Sequence, residues 1–151
     1  MNVHYYKLYE LLKDRYIMFG KWLYAKHTIF YNNLVHYFVE FDIYDKEKSI
    51  FLSTNKRKKL LKNYNFIVSV LVLYNGKIND LECLINYVDK SNFKTRSWKD
   101  DLRKLCNNKQ LNYDITMKPT DNSDYMEGLY IKLEDEFKVI NRCKYVREYF
   151  Y

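Results

Sequence analysis

An α+β fold is predicted for this 151-residue chain, and three observations predict it. Residues 37–44 alternate along their length as a strand with one apolar side does. Glu127–Glu134 and Lys138–Val146 are two more strand-like runs, joined at Asp135-Glu136 in the manner of a hairpin. Other stretches, Tyr5–Arg15 and Ser97–Asn107 among them, read instead as helices. With only 3 Gly and 1 Pro there is no linker, and no repeat appears, so residues 1–151 are read as a single domain.

In order along the chain, Leu8, Leu11 and Leu12 predict a short amphipathic helix over Tyr5–Arg15. The apolar and aromatic run Tyr16–Tyr24, around Gly20, predicts a strand, and Thr28–Leu34 a polar-aromatic connection. In Tyr37–Tyr44, Tyr37, Val39, Phe41 and Ile43 share one face, with Phe38, Glu40, Asp42 and Tyr44 on the other. Ser49–Ser53 is expected to pair with that strand across Asp45–Lys48. Thr54 is expected to cap a helix running to Lys62, with Leu60 and Leu61 inward. The β-branched run Phe66–Tyr74 suits a buried strand. Asn79–Val88 and Ser97–Asn107 read as helices, and polar Lys109–Tyr125, with the single Pro119, as a loop.

Lys plus Arg number 26 against 19 acids, a net charge of +7, which favours polyanionic partners through counterion release. Tyr (17) and Phe (9) are abundant enough to stack bases, although core packing and strand cover account for most of them. Cys83, Cys106 and Cys143 lack both paired spacing and neighbouring histidines, so neither a disulfide framework nor a metal site is expected, and a cytoplasmic setting is the default. No apolar run reaches the ~20 residues a membrane helix needs, and charges within Met1–Tyr16 argue against a signal peptide. For Lys56-Arg57-Lys58-Lys59, a solvated helix face is a simpler reading than a surface tracking phosphates. His27 and His36 have no carboxylate or serine at triad-like spacing.

The most informative stretch is Glu127-Gly128-Leu129-Tyr130-Ile131-Lys132, followed by Arg142-Cys143-Lys144. Arg142 and Lys144, two apart on one strand, point to the same face. A carboxylate facing two cations suits a polyphosphate bound with a divalent metal. An edge hairpin with solvated charges is the plainer alternative.

Tyr16–Asp45 (YIMFGKWLYAKHTIFYNNLVHYFVEFDIYD), taken with MEGLYIK and RCKYVR, resembles the ATP-dependent RNA ligases of the RNA ligase 2-like family, within the covalent nucleotidyltransferases. The resemblance covers most of residues 16–147. It implies an ATP-grasp-like ligase adenylation domain of mostly antiparallel sheets with flanking helices. It also implies that RNA 5′-phosphate and 3′-hydroxyl ends are sealed through lysyl-AMP, with ATP and Mg2+ as cofactors. By the resemblance, Phe41 of Phe41-Asp42 stacks on adenine, Glu127 and Lys144 are the catalytic residues with Glu127 also supporting the metal, and Lys132, Arg142 and Lys144 serve the nucleotide phosphate. Phe41 lies on an apolar face, where core and adenine pocket are compatible readings.

Two departures accompany these agreements. Where the family writes Gly-Glu for the ribose, this chain has Gly20-Lys21, which puts a cation at that nucleotide-binding position. The nucleophile motif Lys-x-(Asp/His/Asn)-Gly is also missing, since neither Lys7 nor Lys13 is followed by a glycine two or three places on. The expectation is an N-terminally truncated domain, inactive alone, with a separate polypeptide supplying the lysine. A non-catalytic nucleotide- or RNA-binding relic ranks second, and a small basic structural protein third. Truncation would leave open edges on the strands at Tyr37–Tyr44 and Phe66–Tyr74, with self-association or partner binding as the result.

Overall fold

The computed structural model describes residues 3–80 and 82–148. Its elements run α1 (Val3–Leu12), β1 (Tyr16–Trp22), β2 (Phe38–Asp45), β3 (Ile50–Phe51), α2 (Thr54–Leu61), β4 (Val68–Ser69), α3 (Glu82–Ile85), α4 (Trp98–Asn108), α5 (Tyr113–Met117), β5 (Gly128–Glu134) and β6 (Val139–Val146). The fold is α+β with mainly antiparallel pairing, as expected. The chain forms two compact units. The first gathers the chain up to Trp22, His36–Val72 and Tyr130–Cys143; the second gathers Leu23–Val35, Leu73–Leu129 and the chain from Lys144.

In the first unit β2 is central. It pairs antiparallel with β1 at every residue but Phe41, and its other edge takes β3 antiparallel at Tyr44–Asp45 and β4 parallel at Val39–Glu40. The open edge expected on Tyr37–Tyr44 is therefore absent, because both sides of the strand carry ladder partners. Leu11, Ile43, Leu52 and Leu61 form the core, joined by Leu12, Tyr16, Met18, Leu60, Tyr64 and Ile67, so α1 and α2 cover one face of the sheet.

The alternation read from residues 37–44 breaks at Phe41. Phe19 faces Asp42 but Gly20 faces Glu40, so Phe41 is an extra residue without a partner on β1, a β-bulge. Such a step exchanges the faces of the residues beyond it. Glu40 accordingly joins Ile43 on the helix-covered side, whereas Asp42 stays on the other. Both are fully buried, which corrects the expectation that Phe38, Glu40, Asp42 and Tyr44 make the polar side. The bulge also explains why β4 is short. The ladder ends at Val70 N–H, which donates to Glu40 O (2.8 Å), and the rest of the run expected to be a buried strand, Leu71–Tyr74, is exposed coil.

Helix α2 is capped by Ser53 and not by Thr54: Ser53 Oγ accepts from Lys56 N–H at 3.3 Å. Thr54 instead gives its N–H and its hydroxyl to the two carboxylate oxygens of Glu134, both at 2.9 Å. An acid at that end complements the helix dipole. Arg57 departs from the solvated face expected for Lys56–Lys59, because it is buried against Glu40.

In the second unit Trp98, Leu102 and Cys106 of α4 form a core with Phe30, Tyr113 and Met117. Of the helix expected over Asn79–Val88, only Glu82–Ile85 is helical among the described residues. Lys109–Tyr125 is not all loop, since Asn112 caps the short helix α5 by accepting from Ile115 N–H. Strands β5 and β6 form the expected hairpin as a two-stranded sheet.

Candidate functional site

Asp42, opposite Phe19 just beyond the bulge, meets a cluster of cations. Lys132 Nζ lies 2.6 Å from Asp42 Oδ1 and donates to Phe41 O at 2.6 Å. Arg142 Nη1 donates to Asp42 Oδ2 at 2.9 Å, and Tyr130 Oη donates to the same oxygen at 2.6 Å. Tyr130 and Lys132 alternate on β5, so both reach the same side. The Tyr130 ring also meets Phe41 edge-on at 5.4 Å between centroids. Phe41 and Asp42 therefore share a neighbour, although regular alternation would have turned them apart.

The electrostatics follow from this arrangement. Lys132 and Arg142 both pair with Asp42 beside an aromatic pair, and Arg57 and Glu134 also act on Lys132. Burial pushes the Lys132 ammonium down, and Asp42 opposes that shift. Burial, then the hydrogen bond to Asp42, push the Tyr130 phenol up to about 12. The Arg142 guanidinium, partly exposed, stacks 3.9 Å from the Phe51 ring centroid, and Phe51 touches Tyr44 and Phe19 on the same side. The register places Lys21, exposed on β1 opposite Val39, on this side too.

Of the residues singled out from the sequence, Phe41, Lys132 and Arg142 meet in the first unit, around Asp42. Glu127 and Lys144 belong to the second unit, where the Lys144 ammonium and the Glu127 carboxylate form an ion pair. The glycine after Glu127 has a steric cause. A Cβ on Gly128 would come within 1.9 Å of Tyr145 O, a backbone atom that cannot step aside. Also in the second unit, Asp121 receives Arg147 Nη2 at 2.7 Å and the buried Lys94 Nζ at 3.5 Å, and Trp98 Nε1 donates to Asp124 at 2.8 Å. Burial opposes it, but bonds from Arg147 and Ser123 hold the Asp121 carboxyl below its usual range.

Sequence reasoning missed Asp42 and Tyr130 as members of the cluster. The available signal was an acid inside an apolar strand, and a tyrosine two residues before a lysine on the partner strand. Among the described residues no group of three or more His, Cys, Asp and Glu could hold a metal ion. A hard divalent cation bound through one carboxylate here needs phosphate oxygens and water to complete its shell.

The family model described as RNA ligase matches residues 1–146. The chain belongs to the RNA ligase family. No curated protein and no solved structure matches it significantly. No helix among the described residues of this RNA ligase-family chain is long and apolar enough to cross a membrane. The cluster around Asp42 thus sits in a protein whose family acts on RNA.

Proposed function

We propose that this chain is a nucleotide-holding part of an ATP-dependent RNA ligase with a nucleotidyltransferase-type fold, acting on RNA 5′-phosphate and 3′-hydroxyl ends in RNA repair. The observation that carries the reading is the convergence of Lys132, Arg142 and Tyr130 on one buried carboxylate, Asp42, with Phe41 against Tyr130. Two hydrogen-bonding cations side by side suit a nucleotide phosphate, and the aromatic pair offers an apolar wall to adenine. Asp42 holds both cations in place before an anion arrives, so less reorganisation accompanies binding. ATP would supply the activated phosphate, and this chain's part is to bind and orient it. Lys21 is assigned to the ribose end, and Glu127 and Lys144 to metal-linked phosphate chemistry, on the family resemblance alone.

The nucleophile is the missing part. The three glycines, Gly20, Gly76 and Gly128, are preceded three places earlier by Ile17, Leu73 and Tyr125, so no Lys-x-x-Gly occurs within these residues. Adenylation therefore requires a lysine from outside them, and the chain alone is assigned binding without covalent transfer. Calorimetry with AMP tests the reading. Arg142→Ala should weaken binding by about 1–3 kcal/mol, the range for a charge-assisted hydrogen bond. Equal binding by wild type and variant, or none by either, would remove the cluster from nucleotide binding.

A further inference from the structure

The residue before Phe41 is buried deeply at a high desolvation cost. Glu40 is fully buried, and so is Arg57 of α2, whose Nη1 lies 3.3 Å from Glu40 Oε1. Ser69 Oγ donates to the other carboxylate oxygen at 2.7 Å. The pair is imperfectly satisfied: Arg57 Nε, Arg57 Nη1 and Glu40 Oε1 make no aligned hydrogen bond. Burial raises the Glu40 carboxyl above its usual range despite Arg57 opposite it. Buried pairs of this quality contribute little net stability, and apolar residues of similar volume often serve the fold as well. A role in stability does not explain this pair.

A competing register makes its role clear. Without the bulge, Gly20 would face Phe41 and Lys21 would face Glu40. Phe41 would then turn toward α2 and the core around Ile43, and a cross-strand Lys–Glu pair would form. The hydrophobic pattern favours that arrangement, which would also carry Phe41 away from Tyr130. The observed register draws Glu40 under α2 and leaves Phe41 beside Asp42 and Tyr130.

We propose that the buried Glu40–Arg57 pair is a positioning device that selects the bulged register of β2, and so presents Phe41 and Asp42 together to Tyr130, Lys132 and Arg142. Arg57 acts through Glu40; both lie within electrostatic reach of Lys132, so the register and not the affinity is the deciding readout. The value of the pair is therefore specificity of register, the best-attested use of a buried charge pair.

The register itself is the readout, and it does not depend on the nucleotide reading. In labelled wild-type protein, cross-strand nuclear Overhauser contacts should join Gly20 to Glu40. In Glu40→Gln/Arg57→Met, which removes both charges, they should join Gly20 to Phe41. The ring contacts that join Phe41 to Tyr130 in the wild type should disappear in the same variant, because Phe41 turns to the α2 side while Asp42 keeps its place opposite Phe19. A folded double variant that keeps the Gly20–Glu40 contacts and the Phe41–Tyr130 ring contacts would overturn the proposal. Should that variant fail to fold, Arg57→Lys keeps the charge but not the planar reach. It should then give two exchanging sets of Gly20 and Phe41 resonances, and one wild-type set would overturn the proposal equally. AMP affinity, which rests on the nucleotide reading, should fall at least tenfold in the double variant. Absence of AMP binding by wild type would sink that reading and leave the register result standing.

Discussion

Replacing Asp42 by asparagine removes a charge while keeping its shape, and the structure sets the size of the effect. Asp42 is fully buried and Lys132 nearly so, with its ammonium 2.6 Å from Oδ1. In Asp42→Asn that ammonium keeps the Phe41 carbonyl and the pull of Glu134 but loses the carboxylate directly paired with it. Breaking a buried pair on one side costs about 3–5 kcal/mol. Arg142, 41% exposed, adds little because water can take over its bond. The amide oxygen can still accept from Tyr130, which places the net loss near the lower end, about 3 kcal/mol. For a chain of this size that corresponds to a fall in Tm of roughly 6–12 °C. Urea and thermal unfolding followed by circular dichroism measure it, and the Tyr130 titration should move down from about 12 at the same time. A variant with unchanged Tm and unchanged Tyr130 titration would refute the idea that Asp42 anchors the two cations.

The other predictions concern backbone approach, pH and chemistry. Gly20→Ala should destabilise by about 1–3 kcal/mol in urea titrations, the usual cost of overpacking, because a Cβ there meets the Phe38 ring at 2.2–2.8 Å. Gly128→Ala should cost more, since its obstacle is the Tyr145 carbonyl and not a side chain that can turn. Hydrogen bonds from Arg15 above all, with the Lys48 and Glu47 N–H groups, hold the buried Asp45 carboxyl below its ordinary range while burial opposes them. A depressed carboxyl contributes stability that is complete above its unfolded value of about 3.9 and is lost as pH falls through the folded value. Asp45→Asn should therefore lower stability at pH 7 and flatten the acid limb below about pH 4 in denaturation curves. Finally, the chain alone incubated with labelled ATP and magnesium should yield no acid-stable adenylate, and AMP found on any lysine by mass spectrometry would contradict this.

Much of the fold was legible because local signals and tertiary packing agreed. The hairpin of β5 and β6, helix α4 and the pairing of Ile50–Phe51 with β2 follow from pattern and turn position. The bulge was not legible: alternation through Phe41 is unbroken in the sequence, and the register is decided by Arg57 of α2, seventeen residues on from Glu40. The same long-range effect hid Arg57 within a run of solvated lysines and shortened β4. At the site, Phe41, Lys132 and Arg142 could be picked out by resemblance. Asp42 could not be placed among them, because regular alternation turns it away from Phe41 and only the bulge gives the two a shared neighbour, and Tyr130 looked like one aromatic among many.

The most direct test of the central claim is to titrate 15N-labelled protein with AMP and follow the backbone amides of Phe41, Asp42, Tyr130, Lys132 and Arg142. A nucleotide held at this cluster should shift those amides together along one saturable curve, with Arg142→Ala moving the curve to higher AMP. Saturating AMP that leaves these five unmoved, or that shifts a different set of residues, would contradict the account.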